Sequence, residues 1–294
     1  MSNDIQTSIS TSLTTERNMA STSTTISKLH MASVTHASVT PSTLVVEQVS
    51  HSFTESNSTI DVLHQISLEV KKGEFVSLIG PSGSGKSTLF HIIGGLLSPS
   101  HGTITIEGKQ VTGETGHISY MPQSSSLLPW RTVEENVGLA LEVEGVSRKE
   151  TVKLAREWLP KVGLDGYEKA YPHMLSGGMQ QRVAFLRALL SKQELICLDE
   201  PFGALDALSR TDMQNWLLTI WEKHKRSVLL ITHSIDEAIF LSDKIYVLTA
   251  KPAQVADTIL VPFERPRQEK MLLSPEFMLV KEKILQLLRH SQQS

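Results

Sequence analysis

The chain has 294 residues, 40% hydrophobic and 20% charged, with a formal net charge of −3. That balance fits a globular chain of one or two domains with a core that needs no disulfides, and it gives no general pull toward nucleic acid or anionic lipid. The single cysteine, Cys197, excludes a disulfide framework and fits a reducing compartment, and no apolar run is long enough to span a bilayer.

Residues 1–42 are nearly half Ser and Thr, with two acidic and two basic residues. Such a segment buries too little surface to offset its ordering entropy, so it is expected to be a disordered tail. It is Ser-rich and acid-poor, as transit peptides are, but has one Arg and no apolar signal core. Met19 and Met31 offer alternative starts.

From Leu44, "LVVEQVSHSF", "HQISLEV" and "GTITIEG" read as antiparallel strands. "EFVSLIG" is a buried strand that runs into a glycine loop, and "KSTLFHIIGGLL" has helical spacing. Residues 124–185 carry helix-period patterns, with Ser147 and Glu150 as a capping box, and are expected to be a helical subdomain inserted into the core. The core resumes with the strand "ELICLDEP", a helix over about 206–224, the strand "SVLLITH", the short helix "SIDEAIFLS" and the strand "KIYVLTA". This alternation implies a parallel sheet with helices on both faces. Residues 251–294 form an extension in which Ser274 caps a helix, Pro275 takes its first position, and Phe277, Val280, Ile284, Leu287 and Leu288 line one stripe. That stripe suits a packing or partner helix.

"GPSGSGKST", residues 80–88, matches G-x-x-x-x-G-K-[ST] with a strand before it and a helix after it, the context the motif requires. Its glycines let the backbone curl around phosphate oxygens, Lys86 supplies a point charge, and the Ser87 hydroxyl can coordinate Mg²⁺. "LICLDEP" brings Asp199 toward Ser87 as a second metal ligand, and Glu200 follows as a general base that polarises a water. His233 ends another strand of the same sheet, at the carboxyl edge where ligands collect. Gln123 follows the strand-like "GHISYMP"; its amide can touch Mg²⁺ or water. A second loop of Ser and Gly, "LSGGMQQR" (175–182), also has the make-up of an anion grip at a helix start.

In combination these motifs resemble the ATP-binding subunit of an ABC transporter, over about Leu44 to Thr249 and in the family's order. The resemblance implies a P-loop NTPase (RecA-like) α/β core with an antiparallel β subdomain and an inserted helical one. It implies that Gly80, Pro81, Ser82, Gly83, Ser84, Gly85, Lys86, Ser87 and Thr88 bind ATP phosphates, with Ser87, Asp199 and Gln123 at Mg²⁺. Lys86, Gln123, Glu200 and His233 would be the catalytic set, with Glu200 the base. Phe53 resembles the aromatic that stacks on adenine, and Asp206 the family's D-loop acid. Two subunits would meet head to tail, so that Ser176, Gly177 and Gly178 of one close over the nucleotide of the other. This answers why one chain carries two anion-gripping loops. Met179 departs from the Gln usual in that signature.

"LLPWRTVEENV" and "LSGGMQQRVAFLRALL" are most similar to the nitrate, sulfonate and taurine importer group, which also includes subunits for thiamine-pyrimidine precursors. The expected partners are transmembrane permease subunits, touched through Leu128, Pro129 and Trp130, and indirectly an extracytoplasmic solute-binding protein, with no nucleic acid. The chain would then sit at the cytoplasmic face of the membrane. An exporter subunit is the nearer alternative. A soluble ATPase acting on nucleic acid or ribosomes is the farther one, since the chain has one cassette, no long coiled-coil insertion and no basic stripe.

Overall fold

Four strands with wholly buried side chains form the centre of the molecule: β3 (Phe75–Ile79), β7 (Leu195–Asp199), β8 (Ser227–Ile231) and β9 (Lys244–Leu248). The structure, a computed structural model, describes residues 40–55 and 58–291; the expected tail therefore falls outside the described residues except at its end. Near-continuous apolar strands are what a parallel sheet covered on both faces demands. The sheet runs β10-β9-β3-β8-β7-β6, where β6 is Ser119–Met121 and β10 is Val255–Leu260. All neighbours are parallel except β10, which joins β9 antiparallel as an edge strand.

A second sheet has the order β2-β1-β4-β5, from β1 (Ser42–Glu55), β2 (Ser58–Lys71), β4 (His101–Ile106) and β5 (Lys109–Gln110), all antiparallel. Helix α1 (Lys86–Ile93) lies between the two sheets. Its Leu89, Phe90, Ile92 and Ile93 share one apolar core with Val46 and Ile66 of one sheet and Val76 and Leu78 of the other. Each such fully buried side chain contributes about 1.5–3 kcal/mol relative to exposure. The phosphate-loop helix is thereby clamped between two layers.

The helical insert comprises α2 (Val133–Val143) and α3 (Arg148–Trp158), followed by α4 (Gly177–Leu189), which returns to the sheet. Ser147 accepts from the Glu150 N–H as α3 begins. Val133, Val137, Ala155, Leu159, Val183 and Leu186 make the insert's own core. The remaining helices are α5 (Ala207–His224), α6 (Ile235–Leu241) and α7 (Pro275–His290). Ser274 caps α7 by accepting from the Phe277 N–H at 3.2 Å, and Phe277 and Ile284 bury against Ile239, Ile245 and Val247. The stripe on α7 is thus spent on its own chain. β10 is not expected from the sequence, because its side chains are largely solvent-facing and lack the apolar run of the central strands.

Candidate functional site

The register of the parallel sheet decides which residues meet. Leu78 on β3 pairs with Ile231 on β8, and Asp199 on β7 pairs with the same Ile231. Met121 on β6 is level with Leu198. The segments just beyond these positions carry Gly80, Glu200, His233 and Gln123, so all four leave the sheet by one edge.

They surround a cleft of about 370 Å³ lined by Ser82, Gly83, Gly85, Lys86, Ser87, Thr88, Gln123, Glu200, His233 and Lys251. Gly85 caps α1 in the left-handed region, at φ 102° and ψ 11°. A Cβ there would lie 2.7 Å from Val62 Cγ1, so both the backbone angle and the space require glycine. The Lys86 ammonium is folded onto the loop, donating to the carbonyls of Gly80 at 2.9 Å and Pro81 at 2.8 Å. Burial pulls its pKa below the ordinary lysine range, while Glu200 and Asp199 oppose the shift. Ser84 is buried beneath the loop and its hydroxyl also faces Lys86.

Glu200 is clasped from two sides. Gln123 Nε2 donates to its Oε2 at 3.0 Å, and His233 Nδ1 lies 3.3 Å from the same oxygen. Its backbone sits at φ 48°, a left-handed conformation uncommon for a non-glycine residue, fixed by its N–H to Ile231 O at 2.9 Å. Asp199 is buried just behind, hydrogen-bonded by the hydroxyls of Ser87 and Tyr120. Burial raises the Asp199 pKa above the usual carboxylate range, against the Ser87 hydrogen bond that lowers it.

Five of the sequence-derived candidates stand elsewhere. Ser176, Gly177 and Gly178 start α4 outside the cleft's lining; Ser176 Oγ accepts from the Met179 N–H at 3.3 Å, and a Cβ on Gly177 would meet nothing within 4 Å. Asp206 caps α5, accepting from the Ser209 N–H at 3.0 Å. Phe53 also lies outside the lining, 44% exposed and edge-on to His51 at 4.6 Å. Two residues of the site were not singled out from the sequence, Tyr120 and Lys251. Tyr120 lies within the parallel strand β6 and Lys251 three residues beyond the parallel strand β9, and a place near the carboxyl side of such a sheet was the available signal.

A family model described as ABC transporter matches residues 63–203. An uncharacterized ABC transporter ATP-binding protein of Methanocaldococcus jannaschii is 43% identical over 246 residues, 84% of this chain and 91% of the relative. The aliphatic sulfonates import ATP-binding protein SsuB of Bacillus cereus is 43% identical over 244 residues, covering 83% of this chain and 95% of its own length. The formylaminopyrimidine import ATP-binding protein ThiZ of Halalkalibacterium halodurans is 45% identical over 219 residues, 74% of this chain and 84% of that one. The chain belongs to the ABC transporter ATP-binding proteins.

Among solved structures, a dimeric post-hydrolysis ATP-binding cassette bound to ADP and Pi superposes with a TM-score of 0.68 at 31% identity, over 75% of this chain and all of that one. An ATP-binding cassette of this family binds and hydrolyses ATP, so the P-loop NTPase fold expected from the sequence and the ATPase activity stand together. The unusual Met179 packs its side chain on the insert's core and offers only its N–H at the start of α4.

Proposed function

We propose that the chain is the ATP-hydrolysing subunit of an importer for a small solute of the sulfonate, taurine, nitrate or thiamine-pyrimidine type, working as a homodimer on transmembrane permease subunits at the cytoplasmic face of the membrane. The observation that carries the mechanism is Glu200 held by Gln123 and His233 on the rim of the phosphate loop. Glu200 accepts the proton of the attacking water, and His233 and Gln123 fix its carboxylate and sense the terminal phosphate. The N–H groups of residues 82–88 hold the phosphates at the start of α1. Lys86 has only to swing from two carbonyls to meet them.

Mg²⁺ suits the oxygen donors Ser87 and Asp199, with Gln123 beside them, because it takes few protein ligands and completes its shell with phosphate and water. When bound, it neutralises charge on the transferred phosphoryl group. The buried Asp199 carboxylate is the kind of group such a cation stabilises.

Ser176 to Gly178 open α4 away from their own chain's cleft, which supports closure over a second chain's ATP, with Asp206 beside that interface. Phe53, with its ring partly exposed, would offer a face to adenine. An extracytoplasmic solute-binding protein would deliver the solute to the permease. The permease contact falls on Pro129 and Trp130. Trp130 is 71% exposed, yet its loop is anchored by buried Asn136, which takes the Leu128 N–H at 2.8 Å and donates to the carbonyls of Leu128, Arg131 and Thr132. A large aromatic fixed in solvent supports a partner surface.

The test is ATPase activity per chain against chain concentration. A two-chain site predicts a specific rate that falls on dilution as dimers dissociate; a constant rate down to strictly monomeric protein overturns it.

A further inference from the structure

Lys251 lines the cleft opposite the catalytic groups, and nothing above gives it a role. Its position follows from the sheet. Ile79 pairs with Val247 on β9, and a Cβ on Gly80 would lie 3.0 Å from the Leu248 Cβ, so the chain leaving β9 starts against the phosphate loop. Three residues later comes Lys251.

The loop that carries it is fixed on three sides. Thr249 and Gln254 close it, with the Thr249 N–H to Gln254 O at 3.0 Å and the Gln254 N–H to Thr249 Oγ1 at 2.9 Å. Ala253 is sewn to β2 through Val62 O and the His64 N–H, both at 2.9 Å. The Ala250 N–H reaches Ser291 O, beyond α7, at 3.4 Å. Val62 is also the residue a Cβ on Gly85 would strike, so the lysine's loop and the start of α1 rest on one support.

The other lysines near this part of the fold have partners: Lys244 pairs with Glu74, Lys281 with Asp236 and Lys283 with Asp257. Lys251 has no hydrogen bond, ion pair or ring contact among the described residues. Glu200, the acid in the lining, is already taken by Gln123 and His233. An unpaired ammonium on a braced loop, facing a phosphate cradle, lacks an anion.

We propose that Lys251 is a second phosphate-binding lysine, its ammonium pairing with the polyphosphate of the nucleotide on the side of the cradle away from Glu200. This rests on the cleft being the nucleotide site. Because the residue is exposed and its support is backbone hydrogen bonding, its side chain can be changed without disturbing the loop.

The test compares the full-length parent with Lys251→Met, Lys251→Arg and Lys86→Ala. The probes are a nonhydrolysable ATP analogue and inorganic tripolyphosphate, titrated at equilibrium. Lys251→Met should weaken both by about three- to tenfold, the scale of one charge-assisted contact that is partly screened by solvent. Lys251→Arg should recover most of the loss, and thermal melting should match the parent. Affinities of Lys251→Met within twofold of the parent, while Lys86→Ala loses binding, would overturn the role of Lys251 and leave the cleft intact. A parent chain that bound neither probe would remove the nucleotide site and Lys251's role with it.

Discussion

Replacing Glu200 by Gln keeps the shape of the side chain and removes its charge and its basicity. The amide oxygen can still accept from Gln123 Nε2, which lies 3.0 Å from the present carboxylate, so the clasp survives. What is lost is the atom that takes a proton from water. General-base catalysis contributes about 10²–10⁴-fold, and Pi release at saturating ATP should fall by that factor. Binding should move the other way. A carboxylate and a terminal phosphate about 4 Å apart repel by about 1 kcal/mol in water and about 4 kcal/mol near a protein surface. Taking the smaller value, ATP should bind at least about fivefold more tightly to Glu200→Gln. The charge change also reaches its neighbours: Glu200 raises the Asp199 pKa, so its removal favours the ionised carboxylate expected at the metal. Phosphate release and equilibrium binding of ATP on the same preparations measure both effects. A variant that turned over within tenfold of the parent would refute the assignment of the base. One that bound ATP more weakly would refute the charge argument.

Gly85→Ala should lower Tm by about 4–8 °C and weaken ATP binding at least about tenfold, because the new methyl meets Val62 at 2.7 Å and the residue must keep φ near 102°; calorimetry and titration check both, and unchanged affinity would show that the loop tolerates the shift. Arg210→Met should destabilise the fold in a pH-dependent way. Glu237 is buried, its pKa raised by that burial, with its hydrogen bond to Thr232 and the Arg210 charge in opposition. Without Arg210 its folded pKa rises further above the unfolded value. Stability tied to a raised carboxyl is present below the unfolded pKa and lost as pH climbs through the folded one. The Tm deficit against the parent should therefore widen by about 2–4 °C between about pH 4.5 and 8, and a deficit that stayed flat would dismiss the linkage.

The phosphate-loop motif was legible in the sequence because its groups are local. "GPSGSGKST" holds its glycines, lysine and serine within nine residues, and a loop of that spacing between strand and helix has few other uses. The buried strands were legible for the same reason, since an apolar run such as Val228 to Ile231 can satisfy itself only inside a covered sheet. Tertiary structure alone decided which distant residues meet. Gln123, Glu200 and His233 share one oxygen because β6, β7 and β8 pair in a register that ends them at one edge, and a single sequence does not state register across long crossovers. The pairing of β9 with β3 placed Lys251 beside the phosphate loop from a segment with no motif of its own. Tertiary structure also left Ser176 to Gly178 outside the cleft, because α4 follows an insert with a separate core. Exposed β10 escaped notice, since an edge strand is held by backbone hydrogen bonds to β9 and not by a side-chain pattern the sequence displays.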